Sequence, residues 1–228
     1  MRKFSYAALF ALCLSAPIIP QMVSETTYYT SFAANFLFRN NLHEVVPSKL
    51  YRSAEMSRED LKDTISKYGI KTVVDLRLNA DDADSTGTTE EQATAASGAK
   101  YVHIPLSSAR ADQGDKLLKL LDTFKSAETP VLVHCTSGTH RSGIASALWL
   151  LEQEHKPYDV AAEQFSARYG FFEVERKMKA LMQGKPTLDI LLRQFHADEV
   201  DGKATDIRSW LEQAAIAKPI PSPSAPQE

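Results

Sequence analysis

Hydrophobic and polar positions follow two alternating patterns between residues 42 and 151. Short apolar runs rich in β-branched residues, clearest at 70–76 and 131–133, predict buried strands. Between them, residues 113–126 place leucine and phenylalanine along one side of a helix. Because strands alternate with helices, we predict an α/β fold with a central, mostly parallel sheet flanked by helices on both faces.

The other predicted elements complete this arrangement. Ser57 begins a capping box and opens a helix that ends at Gly69. Further strands are predicted at 42–46, 49–52 and 101–106, and a further helix at 88–98. Beyond residue 151 the chain is predicted to be helical, at 158–168, 173–182, 188–195 and 206–215.

The two ends of the chain differ in composition from the middle. Residues 1–24 combine Arg2 and Lys3 with an apolar stretch and small residues, which predicts a signal peptide or a retained N-terminal anchor; a buried N-terminal helix is the third alternative. Residues 217–228 are rich in proline and predict a disordered tail. The domain itself is therefore placed at 25–216. The net charge of −3 gives no indication of nucleic acid as a partner.

Cysteine usage agrees with export. The chain has two cysteines, and Cys13 lies in the leader, so the mature protein would carry only Cys135 and form no intramolecular disulfide. We expect a periplasmic or secreted protein, or one anchored in the inner membrane by its N-terminal segment. A lone thiol in such a compartment is expected to be functional.

The strongest chemical signal is the run HCTSGTHRSG at residues 134–143. Cys135 and Arg141 are separated by five residues at a predicted strand–loop–helix junction, where unpaired backbone N–H groups can bind an anion. Arg141 can grip two phosphoryl oxygens, and the helix N-terminus and a nearby cation can lower the pKa of a thiol. His134 points to the opposite face of the strand from Cys135, so we expect it to act through loop hydrogen bonds.

The remaining loop residues have assigned roles as well. Ser142 can donate a proton to the sulfur when the sulfur leaves. The predicted substrate-binding set is Thr136, Ser137, Gly138, Thr139, His140 and Arg141.

This run resembles the signature loop of the protein tyrosine phosphatase superfamily, closest to its small dual-specificity-like branch. Residues 50–54, 70–77 and 103–106 extend the resemblance, in order, to exported bacterial phosphatases that restrain biofilm formation. The resemblance implies a dual-specificity phosphatase-like fold, a phosphocysteine intermediate, no metal or cofactor, and a phosphorylated protein as partner. A sulfurtransferase loop and a buried cysteine beside a chance arginine are the alternatives.

The resemblance also implies a general acid, an aspartate three or four residues after a strand-end proline. Here Ser108 and Ala109 occupy those positions after Pro105, and Asp112 is the nearest acid, followed by Asp115. Asp112 is predicted either as general acid or as N-cap of the next helix. The remaining alternatives are Asp115 as the acid or no acid in this loop.

The charge of the loop limits the classes of substrate that it is expected to bind. Because the loop contains no lysine, we expect monophosphate esters as substrates. Phosphotyrosine is the first candidate, and dual specificity that includes phosphoserine or phosphothreonine is the second. The alternatives are an inositol-phosphate or phosphoinositide phosphatase and a non-catalytic phosphate-binding module. Arg52, Asp75 and Arg77 are interpreted as structural ion pairs, with a direct substrate role as the alternative. His140 is interpreted as packing or hydrogen-bonding within the loop, or else contacting substrate. The aromatic residues at 169–172 are interpreted as core contacts, or else as the rim of a substrate site.

Overall fold

A computed structural model describes residues 40–79, 83–108, 110, 112–172 and 188–216. Five strands in these ranges form one sheet in the order β1-β2-β5-β3-β4, in which only the β1–β2 pair is antiparallel. The strands are β1 (His43–Val46), β2 (Leu50–Ala54), β3 (Thr72–Asp75), β4 (Lys100–His103) and β5 (Val131–Cys135). The predicted α/β class and mostly parallel sheet are confirmed.

Seven α-helices occur in the described residues, and they flank the sheet. They are α1 (Arg58–Tyr68), α2 (Glu90–Ala96), α3 (Gly114–Ser126), α4 (His140–Glu152), α5 (Tyr158–Ala162), α6 (Asp189–Val200) and α7 (Ile207–Ile216). None of these helices is both long and apolar enough to cross a membrane.

The helix boundaries follow from local capping in two cases. The Ser57 hydroxyl accepts a hydrogen bond from the Asp60 N–H, and Gly69 ends α1 in the left-handed conformation at φ 63°. A complete capping box, formed by Thr89 and Gln92, opens α2.

The predicted helix at 158–168 is wrong in its extent. After α5 the chain forms two short 3-10 turns, Glu163–Phe165 and Ala167–Tyr169, separated by Ser166 in an extended conformation. An extended residue cannot continue the hydrogen-bond ladder of a helix, so the backbone turns here. The predicted helix at 173–182, the leader and the tail lie outside the described residues.

The sheet separates two apolar clusters, and side chains of β5 belong to both. Val131, Val133 and Cys135 belong to the larger cluster, whereas Leu132 packs with Leu61 of α1 in the smaller one. This alternation is the ordinary consequence of strand geometry. It places the side chains of successive β5 residues on opposite faces.

Candidate active site

The loop between β5 and α4 starts at a buried cysteine and ends at a helix N-terminus. Gly138 lies in the middle of this loop with φ +69°. A Cβ at that position would lie 2.6 Å from the Ala54 nitrogen and 2.8 Å from the Ser53 carbonyl oxygen. The loop therefore packs directly on the end of β2, and only glycine fits there without displacement.

The surroundings of Cys135 favour the thiolate form of its side chain. Burial by itself would raise the pKa of the thiol, because only 1% of the residue is exposed. The charge of Arg141 and hydrogen bonds from the Ser142 hydroxyl and the Ser142 and Gly138 N–H groups act in the opposite direction. The net result is a pKa below the ordinary value for cysteine, as a nucleophilic thiol requires.

Ser142 connects the sulfur to the neighbouring strand. Its fully buried hydroxyl is a hydrogen-bond partner of Cys135 and lies 3.2 Å from the Ser53 carbonyl oxygen. The hydroxyl has one hydrogen, so it donates to the sulfur or to the carbonyl. From this position Ser142 can donate a hydrogen bond to the Cys135 sulfur when that sulfur leaves phosphorus, as predicted.

Arg141 extends across the loop from the first turn of α4. Its Nη2 donates to the Thr136 hydroxyl at 3.1 Å, and its Nη1 lies 3.4 Å from the Leu76 carbonyl oxygen. The side chain is partly exposed. A guanidinium so placed can exchange these neutral acceptors for the oxygens of a phosphate, which bind it more strongly.

His134 lies on the other face of β5, as predicted, but its ring does not serve the loop. Its Nε2 is 2.5 Å from Glu90 Oε1 and 3.8 Å from Asp75 Oδ1. Burial alone would lower the pKa of His134, but these two carboxylates raise it overall. The expected role through loop hydrogen bonds is therefore wrong, because α2 supplies a charged partner.

Arg77 is the centre of this buried ion network. It binds Asp75 (Nη2–Oδ2 2.7 Å), Glu90 (Nη2–Oε2 2.8 Å) and the carboxylate of Glu55. The predicted ion pair of Asp75 with Arg77 is present. Burial would raise the pKa of Asp75, but hydrogen bonds from Arg77 and the charge of His134 lower it to about 2.

The same network contains a cluster that resembles a metal site. The ligand atoms of Asp75, Glu90 and His134 lie within 4.8 Å of one another. However, Arg58 also binds Glu90, at 3.0 Å, and Arg77 binds both carboxylates. Two guanidinium groups already bind the carboxylates of Asp75 and Glu90, so the cluster fits an ion-pair role and not a cation site.

The predicted structural ion pair is wrong for Arg52, which binds carbonyl oxygens of the loop instead. Its side chain is fully buried, and the Nη2 donates to the carbonyl oxygens of Gly138 (2.7 Å) and Thr139 (2.9 Å). The Nη1 donates to the backbone and side-chain oxygens of Gln164, both at 2.9 Å. Burial lowers the pKa of Arg52 to about 10, so it remains charged at neutral pH.

Asp112 lies in an exposed segment before α3. Arg110 binds both of its carboxylate oxygens, at 2.8 Å (Nε–Oδ1) and 2.6 Å (Nη2–Oδ2), and 39% of the Asp112 side chain is exposed. The cap position of α3 falls at Gln113, so the interpretation of Asp112 as the N-cap is wrong. Asp115 lies in the first turn of α3, and Ala109 lies outside the described residues.

The aromatic residues after α5 form packing contacts, as interpreted. Tyr169 and Phe171 are buried, and the His140 ring packs edge-on against Phe171 with centroids 5.3 Å apart. Asn41 was not singled out by the sequence, although its amide donates to the Ser137 carbonyl oxygen at 3.0 Å. An isolated asparagine before the first strand carries no motif that would have identified it.

Comparisons with known proteins agree with this geometry. Residues 43–155 match the family model described as beta-lactamase hydrolase-like protein, phosphatase-like domain. A comparison with curated proteins found no match. Among solved structures, TpbA of P. aeruginosa is 22% identical, with 78% of this chain and 89% of that chain covered and a TM-score of 0.48.

Two further solved structures are similar at the same level. TpbA of P. aeruginosa in complex with phosphotyrosine is 25% identical, with 57% of this chain and 75% of that chain covered and a TM-score of 0.45. The core catalytic domain of the PP-IP phosphatase SIW14 from S. cerevisiae is 16% identical, with 63% and 93% covered and a TM-score of 0.45. With the family match, the lowered pKa of the buried Cys135 thiol and the neighbouring Arg141, residues 43–155 belong to the superfamily of cysteine-based, protein tyrosine phosphatase-like proteins.

Proposed function

We propose that the chain is a cysteine-dependent phosphomonoesterase that hydrolyses phosphotyrosine in a phosphorylated protein. The observation that carries this proposal is the environment of Cys135, where Arg141, Ser142 and loop N–H groups together lower the pKa of a buried thiol. A buried structural cysteine would have a raised pKa. The site therefore favours ionisation of the thiol beside an arginine that can bind the phosphate under attack.

The reaction has two displacement steps at phosphorus. The Cys135 sulfur attacks, an S–P bond forms, and the P–O bond to the leaving phenol breaks as that oxygen takes a proton from Asp112. Water then attacks the phosphocysteine and forms a new O–P bond, giving up a proton to the Asp112 carboxylate that the first step left ionised. The S–P bond breaks with the electron pair returning to sulfur, and inorganic phosphate leaves. Ser142 stabilises the departing thiolate by its hydrogen bond.

Asp112 has to leave Arg110 before it can serve as the acid. In the present structure both of its oxygens are bound by that guanidinium, which favours the ionised carboxylate. We therefore assign the proton transfer to a rearranged state of the segment, reached when substrate occupies the loop.

The charge of the loop favours a monoester over a polyphosphorylated ligand. Arg141 is the one basic side chain of the loop that is always charged, and His140 is 8% exposed and packed against Phe171. A ligand with many phosphates would need several cations at the site. This favours phosphotyrosine over inositol phosphates and phosphoinositides.

The first test compares p-nitrophenyl phosphate hydrolysis by the parent and by Cys135→Ser. We expect a loss of roughly 10⁴-fold or more, because the nucleophile is removed. EDTA should leave the parent's rate unchanged. Activity of Cys135→Ser close to that of the parent, or strong inhibition of the parent by EDTA, would contradict the proposal.

A second assay identifies the substrate class. Phosphotyrosine, phosphoserine and phosphothreonine peptides are compared with inositol hexakisphosphate as sources of released phosphate. We expect the highest kcat/KM for phosphotyrosine peptides. Preference for the inositol substrate would move the assignment to the alternative.

Residues 1–24 support a further proposal, that the protein acts outside the cytoplasm after export or while anchored by this segment. The basic start and the apolar stretch that follows are the features on which it rests. Cell fractionation with N-terminal sequencing of the mature protein tests it. A cytoplasmic protein that retains Met1 would contradict it.

A further inference from the structure

Two buried polar side chains outside the active-site loop, Asn41 and Arg52, donate hydrogen bonds to its carbonyl oxygens. We propose that both are positioning residues that orient the loop's N–H groups toward the thiolate and the bound phosphate. The inference rests on the proposed function. Asn41 lies before the segment matched by the family model, which starts at residue 43.

Asn41 is completely buried, and its amide is fully used. The Nδ2 donates to the carbonyl oxygens of Ser137 (3.0 Å) and Tyr169 (3.2 Å), one for each hydrogen. Its Oδ1 lies 2.8 Å from His43 Nε2 and can only accept, so the histidine nitrogen carries the hydrogen. These three bonds leave the amide one orientation.

His43 supports that orientation without a change of charge near neutral pH. Burial, followed by the charges of Arg52 and Arg168, lowers the pKa of His43 to about 4. The ring is therefore neutral, with its proton on Nε2 facing Asn41. Asn41 keeps its donors directed at the loop across the neutral range.

The consequence for the loop follows from peptide geometry. In a planar trans peptide, the C=O of one residue and the N–H of the next point in opposite directions. Asn41 holds the carbonyl of Ser137, and the N–H of the same peptide unit, that of Gly138, is hydrogen-bonded to the sulfur of Cys135. Asn41 thus fixes a donor that stabilises the thiolate.

Arg52 acts in the same way on the next two peptide units. Because its Nη2 holds the carbonyl oxygens of Gly138 and Thr139, the N–H groups of Thr139 and His140 point away from Arg52. These N–H groups lie at the start of α4, where an anion is expected to bind.

Arg52 is itself fixed from the opposite side. Its Nη1 donates twice to Gln164, and its guanidinium lies 4.1 Å from the centre of the Tyr169 ring. A planar fork with four hydrogen bonds and a stacked ring has little freedom to move. A lysine would keep the charge but could not hold both carbonyls in this geometry.

A third donor completes the set. The N–H of Glu55, directly after β2, lies 3.3 Å from the carbonyl oxygen of Thr136. Three donors from residues 41–55 thus hold the carbonyls of four successive loop residues.

The test measures the pKa of the Cys135 thiol and the affinity for an oxyanion, two properties that are distinct from the stability of the fold. Asn41→Ala and Arg52→Lys are compared with the parent and with Leu61→Ala, a core variant in α1 on the other face of the sheet. Cys13→Ser is present in all four proteins so that one thiol reacts. The pH dependence of Cys135 alkylation gives its pKa, and inhibition by vanadate gives oxyanion affinity.

We expect both positioning variants to raise the thiol pKa and to weaken vanadate binding about tenfold, less than the ~10²–10³-fold cost of deleting an oxyanion donor itself. Leu61→Ala should lose stability but keep both values. Parent-like thiol pKa and vanadate affinity in folded Asn41→Ala and Arg52→Lys would overturn the inference. If Asn41→Ala does not fold, Arg52→Lys decides, because it keeps the buried charge.

The same experiment separates the inference from the proposed function. A parent protein without phosphatase activity contradicts the proposed function, whereas the thiol titration still compares the variants. An active parent with unchanged variants contradicts only the inference.

Discussion

The anion-binding loop and the segment that carries Asp112 differ in how they are held. Loop carbonyls are bound by donors from residues 41–55, and Gly138 packs directly on β2. Asp112 is exposed and is bound by Arg110, two residues away. The comparison teaches that the loop is held from several sides, whereas Asp112, the proposed proton donor, would first have to leave Arg110. Binding and thiolate attack should therefore depend on different residues from leaving-group protonation.

The largest effect on catalysis is expected from replacing Arg141 in the first turn of α4. Arg141→Lys keeps a positive charge but loses the fork that binds two phosphoryl oxygens, so kcat/KM on every substrate should fall by roughly 10²–10³-fold. Steady-state kinetics with esters of strongly and weakly acidic phenols measure it. Arg208→Lys, an exchange within a surface ion pair with Asp122 and Glu152, is the matched control. An Arg141→Lys enzyme with parent-like kcat/KM would show that the loop does not depend on this side chain.

A smaller and more selective effect is expected from the acid-bearing segment. Asp112→Asn should lower kcat by about 10²-fold for phosphotyrosine-like esters, the lower end of general acid catalysis, and leave substrates with good leaving groups nearly unchanged. Asp115→Asn, three residues further in α3, is the control. Equal rates for Asp112→Asn and the parent on a poor leaving group would remove Asp112 from the mechanism.

The smallest effect on catalysis, but a measurable one on stability, is expected from Asp75 in the buried ion network. The pKa of Asp75 falls from 3.8 to about 2 in the folded state, so its contribution is present above pH 3.8 and is lost as the pH falls toward 2. Asp75→Asn should therefore reduce the free energy of unfolding by about 2 kcal/mol at pH 5–6.

Urea unfolding of the parent and Asp75→Asn at several pH values measures this difference. It should shrink below pH 4, as Asp75 of the parent becomes protonated. His134, whose pKa is raised, contributes in the opposite sense: its stabilisation is complete below about pH 6.5 and is lost as the pH rises through the folded value. A difference that is constant from pH 2 to 6 would show that the Asp75 charge does not stabilise the fold.

Local sequence signals predicted the strand–loop–helix unit around Cys135 and most other elements well. The spacing of Cys135 and Arg141 describes a single strand–loop–helix unit, so its geometry is specified within ten residues. Alternating apolar runs and the cap at Ser57 likewise depend on neighbours along the chain. The α/β class and the sheet followed from these patterns.

Long-range contacts were not predictable in the same way. Arg52 binds carbonyls 86 and 87 residues away, and Asn41 binds one 96 residues away, so neither role is marked by a local pattern. The charged partner of His134 was missed for the same reason, since Glu90 arrives from α2. Where α5 ends earlier than predicted, Gln164 and Tyr169 contact Arg52, and such tertiary contacts are not encoded in local helix propensity.

The most direct test of the account is to trap the covalent intermediate. The parent enzyme is mixed with an activated aryl phosphate, quenched in acid within one turnover, and digested for mass spectrometry. We predict a single phosphate on the peptide that contains Cys135, absent from Cys135→Ser. Turnover without any phosphorylated Cys135, or with phosphate on another residue, would contradict the central claim that this thiolate attacks phosphorus.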